Sequence, residues 1–477
     1  MTLIHILVFA LASLPFMWLI PTRWRPQSIL FASILALAWL LADDVLSHLD
    51  FMVLIGTLGL SIMVWWVVQP PSETMPKRRA DTQTLLIIGG GMLLAGLIFA
   101  IFNQPSNLMM PIFGVAVATV GVINLPHMLP TSNVSNEIYK RLSLSLIIGL
   151  IMILGILKIP ASARFFSLAL DRDEALHPTG ITPLAWLGFS YIAFRLIGVL
   201  FDFRAGRLPK DGMALHNFLT YIIFFPAMTA GPIDRVQRFI PELNQTKPLD
   251  SARLMEGTMR IAVGAFKKFV IADSLALVAL NPTLVNRTGD TLGAWLLLYV
   301  YAFRIFFDFS GYSDVAIGIG RLYGITLPEN FDRPYAQANL QQFWQRWHIT
   351  LSTWFRLYYF TPISRVMLRS GVKMPQWLMV MIAQISTMVL IGLWHGITVN
   401  FVLWGLWHGV GLFIHKLILD NTRVWYQNIS QHRWRRRFIF GISWLTTFHY
   451  VALGWVFFAL PTPADSLAML ARLVGGR

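Results

Sequence analysis

From Trp377 to Gly396 the chain reads WLMVMIAQISTMVLIGLWHG. Nothing charged interrupts this run before His395, and its length suits an α-helix crossing the roughly 30 Å hydrocarbon core of a bilayer. A helix satisfies its backbone polar groups internally, which is what lipid demands of any spanning segment. Outward from this stretch, apolar windows close to the ~20 residues of a span recur at 3–20, 27–42, 51–68, 85–102, 108–125, 143–159, 183–201, 259–280, 292–309, 397–416 and 438–460. The fold class is therefore all-α: a polytopic membrane protein of about 11–13 transmembrane helices, with residues 1–477 in one membrane domain.

Hydrophobic residues are 56% of the 477 and charged residues 13%, against roughly 25% charged in a soluble domain. That balance excludes a soluble enzyme and any disordered class, because too few charges remain to cover the surface. The sequence has no Cys, which removes disulfides, thiolate metal sites and a cysteinyl acyl-enzyme from consideration. The net charge of +15 lies in short clusters between apolar runs, such as Arg23/Arg25, Lys77-Arg78-Arg79, Lys140-Arg141 and Arg435-Arg436-Arg437. That is the distribution of cytoplasmic loops and anionic headgroups, and nucleic acid is not an expected partner.

Loop charges set the orientation in the N-terminal part. Arg23/Arg25 fall inside, Asp43/Asp44/Asp50 outside, Lys77–Arg79 inside and Lys140-Arg141 inside again, which puts the N-terminus outside. The window at 3–20 lacks a basic leader and a cleavage site and reads as a retained helix. Beyond about residue 160 the alternation fails: 216–230 and 349–361 are apolar but short and interrupted, and 231–258 is polar. Such segments suit re-entrant or interfacial pieces around a protein cavity.

Ionisable groups at membrane depth are costly and serve as functional hypotheses. Most of the 11 His fall near predicted ends or loops, and three remain in a concentrated region: His348, His395 and His408. His348 lies among Arg346, Trp347 and Ser352, a polar and aromatic mixture suited to a wall between cavity and lipid. His395 ends the long apolar run, and His408 sits in its echo: Gly392-Leu393-Trp394-His395-Gly396 recurs as Gly405-Leu406-Trp407-His408-Gly409. There is no G-x-S-x-G elbow, no H-E-x-x-H, no P-loop and no metal-ligand cluster, and the fifth residue after His395 is Asn400. General-base activation of a hydroxyl remains the chemistry open to a buried His. A transporter or flippase of lipid-linked sugars also uses broken helices, but it predicts paired unusual segments in both halves, and here they crowd into the second.

Five ordered motifs resemble the membrane-bound O-acyltransferases, in the bacterial branch of alginate O-acetylation and teichoic-acid D-alanyl transfer. They are Phe225 to Arg235, containing Gly231, Pro232, Asp234 and Arg235; Phe307-Asp308-Phe309-Ser310-Gly311-Tyr312-Ser313-Asp314; Pro328 to Tyr335, containing Glu329 and Asn330; Phe343 to His348; and Gly392 to Gly396. The motif stretches at 225–235, 307–314, 328–348 and 392–409 mark 181–477 as the catalytic core, with 1–180 as N-terminal helices. One position departs from the pattern: Leu357 stands where relatives usually carry Asp.

The resemblance implies a ring of helices around a thin centre, with a tunnel bringing an acyl thioester from the cytoplasm to a histidine at membrane depth. It maps the invariant histidine onto His395, as general base, and a second shared position onto His348, which would orient substrate or polarise the carbonyl. Asp308, Arg346, Trp347, Trp394, Ser352, Asn400 and His408 would line or shape the tunnel. It implies no resident cofactor and no metal; the donor would be acetyl-CoA or an acyl or aminoacyl carrier protein. The acceptor would be an extracytoplasmic polysaccharide or an SGNH-type esterase-like protein, and the location a bacterial inner membrane. The motifs leave both acetyl and D-alanyl transfer open.

Overall fold

The structure, a computed structural model, describes residues 2–41, 48–69, 136–159, 188–371, 374–429 and 431–476, together with 84, 88–91 and 94. The expected spans at 85–102 and 108–125, apart from a few positions of the first, and the Asp43/Asp44 and Lys77–Arg79 loops lie outside the described residues. Among the described residues every regular element is helical. By contacts the chain forms two compact units, Met1–Ile261 with Val315–Pro328, and Ala262–Asp314 with Glu329–Arg477.

The first unit carries α1 (Leu3–Leu19), α2 (Arg25–Leu41), α3 (His48–Val68), α4 (Asn136–Lys158), α5 (Phe189–Arg204), α6 (Leu215–Ile223) and α7 (Val236–Asn244). Its packing centres on α5 and α6, whose side chains are buried almost throughout. The chain breaks after α6 at Phe224-Phe225-Pro226, because proline cannot continue the hydrogen-bond ladder. The freed carbonyls are not left bare: buried Arg195 donates to the carbonyls of Tyr221 (3.1 Å), Ile222 (2.7 Å) and Ala227 (3.0 Å). Trp65 on α3 and Gln69 just beyond it likewise bond the Met213 carbonyl at 2.7 and 2.9 Å.

Two further helices, α8 (Ser251–Ala265) and α9 (Thr291–Leu322), contribute residues to both units. The expected span 259–280 falls on a helix that contains a π-helical turn and ends at Ala276. It comprises α8, a π-helical turn over Phe266–Ala272 and a last turn over Asp273–Ala276, with Lys267 and Lys268 held to Asp314 and Asp308 at 2.6 and 2.5 Å.

The second unit continues with α10 (Leu340–Arg346), α11 (Ile349–Phe355), α12 (Thr361–Arg369), α13 (Gln376–His395), α14 (Val399–Ile429), α15 (Arg433–Ala459) and α16 (Pro463–Leu473). Between α11 and α12 the backbone adopts a π-helical turn, Arg356–Phe360, which contains Leu357. The stretch 349–361, expected as an interrupted piece, is helical throughout, with a π-helical turn joining α11 and α12.

Five described helices are long and apolar enough to cross a membrane: Glu137–Lys158, Thr291–Leu322, Gln376–His395, Val399–Asn428 and Arg433–Ala459. Many of their apolar side chains point outward, among them Leu296, Ile382, Ile418 and Leu445, as contact with lipid requires.

Candidate active site

Residues 329–332 run beside 346–349, with the Ile349 amide donating to the Asn330 carbonyl (2.9 Å) and the Asp332 amide to the Arg346 carbonyl (3.1 Å). Between the ends of α10 and α11, His348 takes the left-handed conformation, φ 44° and ψ 55°. For a residue with a Cβ this costs on the order of 1–2 kcal/mol, and the pairing with 330–332 offsets it. The turn carries His348 into the interior, where it is 2% exposed.

Asn330, fully buried, determines the chemistry of that imidazole. Its side-chain oxygen accepts from the Thr350 amide (3.3 Å) and hydroxyl (2.9 Å), while its NH₂ donates to the Ser313 hydroxyl (3.1 Å). The atom facing His348 Nδ1 at 3.0 Å is therefore an oxygen, so Nδ1 must carry the proton. Nε2 is left as an unprotonated acceptor, and it meets no protein partner. Burial first, and the neighbouring His395 second, hold this imidazole well below its ordinary pKa, hence neutral.

His395 is the last residue of α13, where the chain leaves the helix at an extended Gly396. Its ring packs against Trp394 (4.5 Å between centroids), Phe458 (4.8 Å) and Trp404 (5.6 Å). Both histidines line one cavity of about 60 Å³, bounded otherwise by Ile305, Phe309, Trp344, Trp347, Leu351 and the aromatic wall of Trp404, Trp455 and Phe458. Among the described residues no carboxylate or ammonium group borders it.

Residues 203–458 match the family described as MBOAT, the membrane-bound O-acyltransferase family. This chain belongs to that family. Its curated relatives include a probable alginate O-acetylase of Pseudomonas syringae pv. tomato, 34% identical over 296 residues, which are 61% of this chain and 51% of that protein. A teichoic acid D-alanyltransferase of Streptococcus thermophilus is 33% identical over 293 residues, 58% of this chain and 68% of that protein. A peptidoglycan O-acetyltransferase of Helicobacter pylori is 32% identical over 272 residues, 56% and 49%. The chain thus spans about half the length of the O-acetylating relatives it matches.

Within this O-acyltransferase family member the structure gathers His348, His395 and Trp347 on the cavity and places the other expected residues elsewhere. His408 is wholly buried one layer behind, its ring 5.0 Å from those of Trp344 and Trp404. Trp394 stacks beside His395, and Ser352 bonds the Trp347 carbonyl. Asp308 pairs with Lys268, Arg346 with Asp332 at 2.5 Å, and Asn400 ties α14 to the Leu460 carbonyl and Ser466 hydroxyl.

The Gly231 to Arg235 motif belongs to the first unit and builds a corner there. Gly231 lies so near Ala227 that a Cβ would stand 2.4 Å from its Cα, Pro232 is buried beside it, and Arg235 pairs with Asp202 at 3.2 Å. Asp234 pairs with Arg238; burial pushes its carboxyl up against the opposing pull of that guanidinium. Glu329 is exposed. Trp344, Trp404, Phe309 and Ile391 line the cavity without having been singled out from sequence. The available signal was helical spacing for Ile391 alone, which precedes His395 by four on α13; Trp344 and His348 are separated by the end of α10.

Proposed function

We propose that this protein transfers a small uncharged acyl group, acetyl above all, from a cytoplasmic thioester to a hydroxyl on an extracytoplasmic polysaccharide or partner protein. The observation that carries this reading is the two-histidine cavity. Its volume of about 60 Å³, room for about four to six waters, suits a short acyl group. The names of the relatives, alginate and peptidoglycan O-acetylating enzymes among them, support a cell-envelope polymer as acceptor; in this reading the location is a bacterial inner membrane with the N-terminus outside, which the loop charges favour.

In this reading His395 is the general base. It takes the proton as the acceptor oxygen attacks the thioester carbon, and returns it to the departing thiolate when the C–S bond breaks. His348, whose Nε2 can only accept, cannot polarise the carbonyl; with the attacking hydroxyl's one proton going to His395, it holds a neighbouring hydroxyl of the acceptor. The apolar lining keeps water from the thioester.

A D-alanyl group is the alternative, favoured by the fuller coverage of the Streptococcus enzyme. It brings an ammonium into a cavity without a carboxylate, where only aromatic faces could receive it. The test is transfer by the purified protein in nanodiscs from labelled acetyl-CoA or a D-alanyl carrier protein. Acetyl turnover should exceed butyryl turnover, and His395→Ala should lose about 10²- to 10⁴-fold. Near wild-type transfer by that variant, or turnover of the D-alanyl donor alone, would overturn the assignment.

A further inference from the structure

An acyl transfer between the two histidines needs a hydrogen-bond donor for the carbonyl oxygen, which gains charge as the attacking hydroxyl adds. Neither histidine supplies it in the reading above: His348 Nε2 is an acceptor and His395 takes the proton. Ile305, Phe309, Leu351, Ile391 and Phe458 have no polar hydrogens. The indole N–H of Trp455 is already used on the Tyr335 hydroxyl at 3.0 Å, and that of Trp347 is not a buried unpaired donor.

Trp344 and Trp404 differ from five other tryptophans of the chain. Trp65, Trp295, Trp407, Trp444 and Trp455 each place the indole N–H on an oxygen 2.7–3.0 Å away. The indole nitrogens of Trp344 and Trp404, rings 9% and 1% exposed, meet no acceptor. A buried donor left unpaired costs about 1–3 kcal/mol, yet these two stand side by side, edge to face with centroids 5.5 Å apart, on the wall of the same cavity. His408, wedged against Gly454, braces both rings from behind.

We propose that the indole N–H groups of Trp344 and Trp404 form the donor pair that receives the acyl oxygen of the thioester. The assignment rests on the acyl-transfer reading and deepens it. As the acceptor oxygen bonds to the carbonyl carbon, the C=O π pair moves onto oxygen and is held by the two N–H groups. The hydroxyl proton goes to His395. When the intermediate collapses the C=O bond re-forms, the C–S bond breaks, and the thiolate leaves with that proton, giving ester and free thiol.

The experiment compares Trp344→Phe and Trp404→Phe with a second pair of variants carrying 3-benzothienylalanine at each position, which keeps the ring size and lacks the N–H. Turnover is read together with the infrared C=O band of bound ¹³C-acetyl-CoA in the absence of acceptor. Each loss of a donor should lower kcat about 10²-fold, leave KM within about threefold, and move the carbonyl band toward higher frequency; Trp295→Phe, away from the cavity, should do neither. If the Phe variants fail to fold, the isosteric pair decides. A wild-type protein that transfers acetyl while the isosteric variants keep its rate and carbonyl band overturns the donor pair alone. A wild-type protein with no acyl transfer overturns the underlying reading and the pair with it.

Discussion

Asn330 holds more of the site's chemistry than its exposure or charge would suggest. Its oxygen fixes which nitrogen of His348 carries the proton, and the Ser313 and Thr350 bonds fix which end of Asn330 is the oxygen. Asn330→Leu removes that acceptor, freeing the imidazole to shift its proton to Nε2 and turning the cavity-facing acceptor into a donor. Transfer should fall about 10- to 100-fold, since orphaning buried donors costs on the order of 1–3 kcal/mol, whereas Asn330→Asp, which still accepts, should retain part of the rate. Nitrogen-15 spectra of histidine-labelled protein would read the tautomer directly. An unchanged His348 signal and rate in Asn330→Leu would refute the assignment. His348 and His395 were legible in the sequence because an imidazole in an apolar setting stands out by its cost. Trp344 and Trp404 were not, because an indole becomes a candidate donor only through the absence of an acceptor, and that is a property of the packed interior.

The helical hairpin of α13 and α14 explains the repeated Gly-Leu-Trp-His-Gly element. A Cβ at Gly392 would stand 2.1 Å from the Phe401 carbonyl oxygen, at Gly405 2.6 Å from that of Met388, and at Gly409 2.7 Å from the Ile385 Cα. Each copy thus gives up its side chain where the other helix passes, the small-residue packing that membrane helices use in place of a hydrophobic drive. This contact brings His395 of one helix beside Trp404 of the other. Gly405→Ala meets backbone that no rotamer change can clear. It should cost about 1–3 kcal/mol, seen as a lower thermal transition in detergent, while Gly441→Ala, with open space around it, should be neutral. Equal behaviour of the two variants would sink this account. The spans themselves were legible because a long apolar run has one solution in lipid. The π-helical turn within 259–280 was not, because its cause is tertiary: a Cβ at Gly311 would stand 2.7 Å from the Gly264 carbonyl and 2.9 Å from the Lys268 amide, across that turn. On a single helix the 13-residue offset of the two copies does not return to the same face; in the hairpin their glycines are the shared element.

Across the whole chain, the scarce polar residues go to the places where backbone is broken. Arg195 serves three carbonyls at the α6 break, Asn400 serves the end of α15 at Leu460, Arg472 reaches the Val285 carbonyl, and Arg238 the Thr326 carbonyl at 2.7 Å. In a chain that is 56% hydrophobic, water cannot be counted on to satisfy such groups, so a side chain must. The charge of a residue then says little about its importance, and its partner says nearly everything. Arg195 and Arg141 illustrate the contrast. The first is 2% exposed and bound to backbone on three sides. The second has a side chain 80% exposed, at 3.9 Å from Glu137. Arg195→Met orphans the carbonyls of Tyr221, Ile222 and Ala227 and should lower stability by at least about 2 kcal/mol, even after relief of the buried charge. Arg141→Met removes a solvated pair and should leave stability unchanged. Thermal unfolding of both variants in the same detergent measures the difference, and an Arg195→Met protein as stable as Arg141→Met would show that the broken segment finds its hydrogen bonds elsewhere.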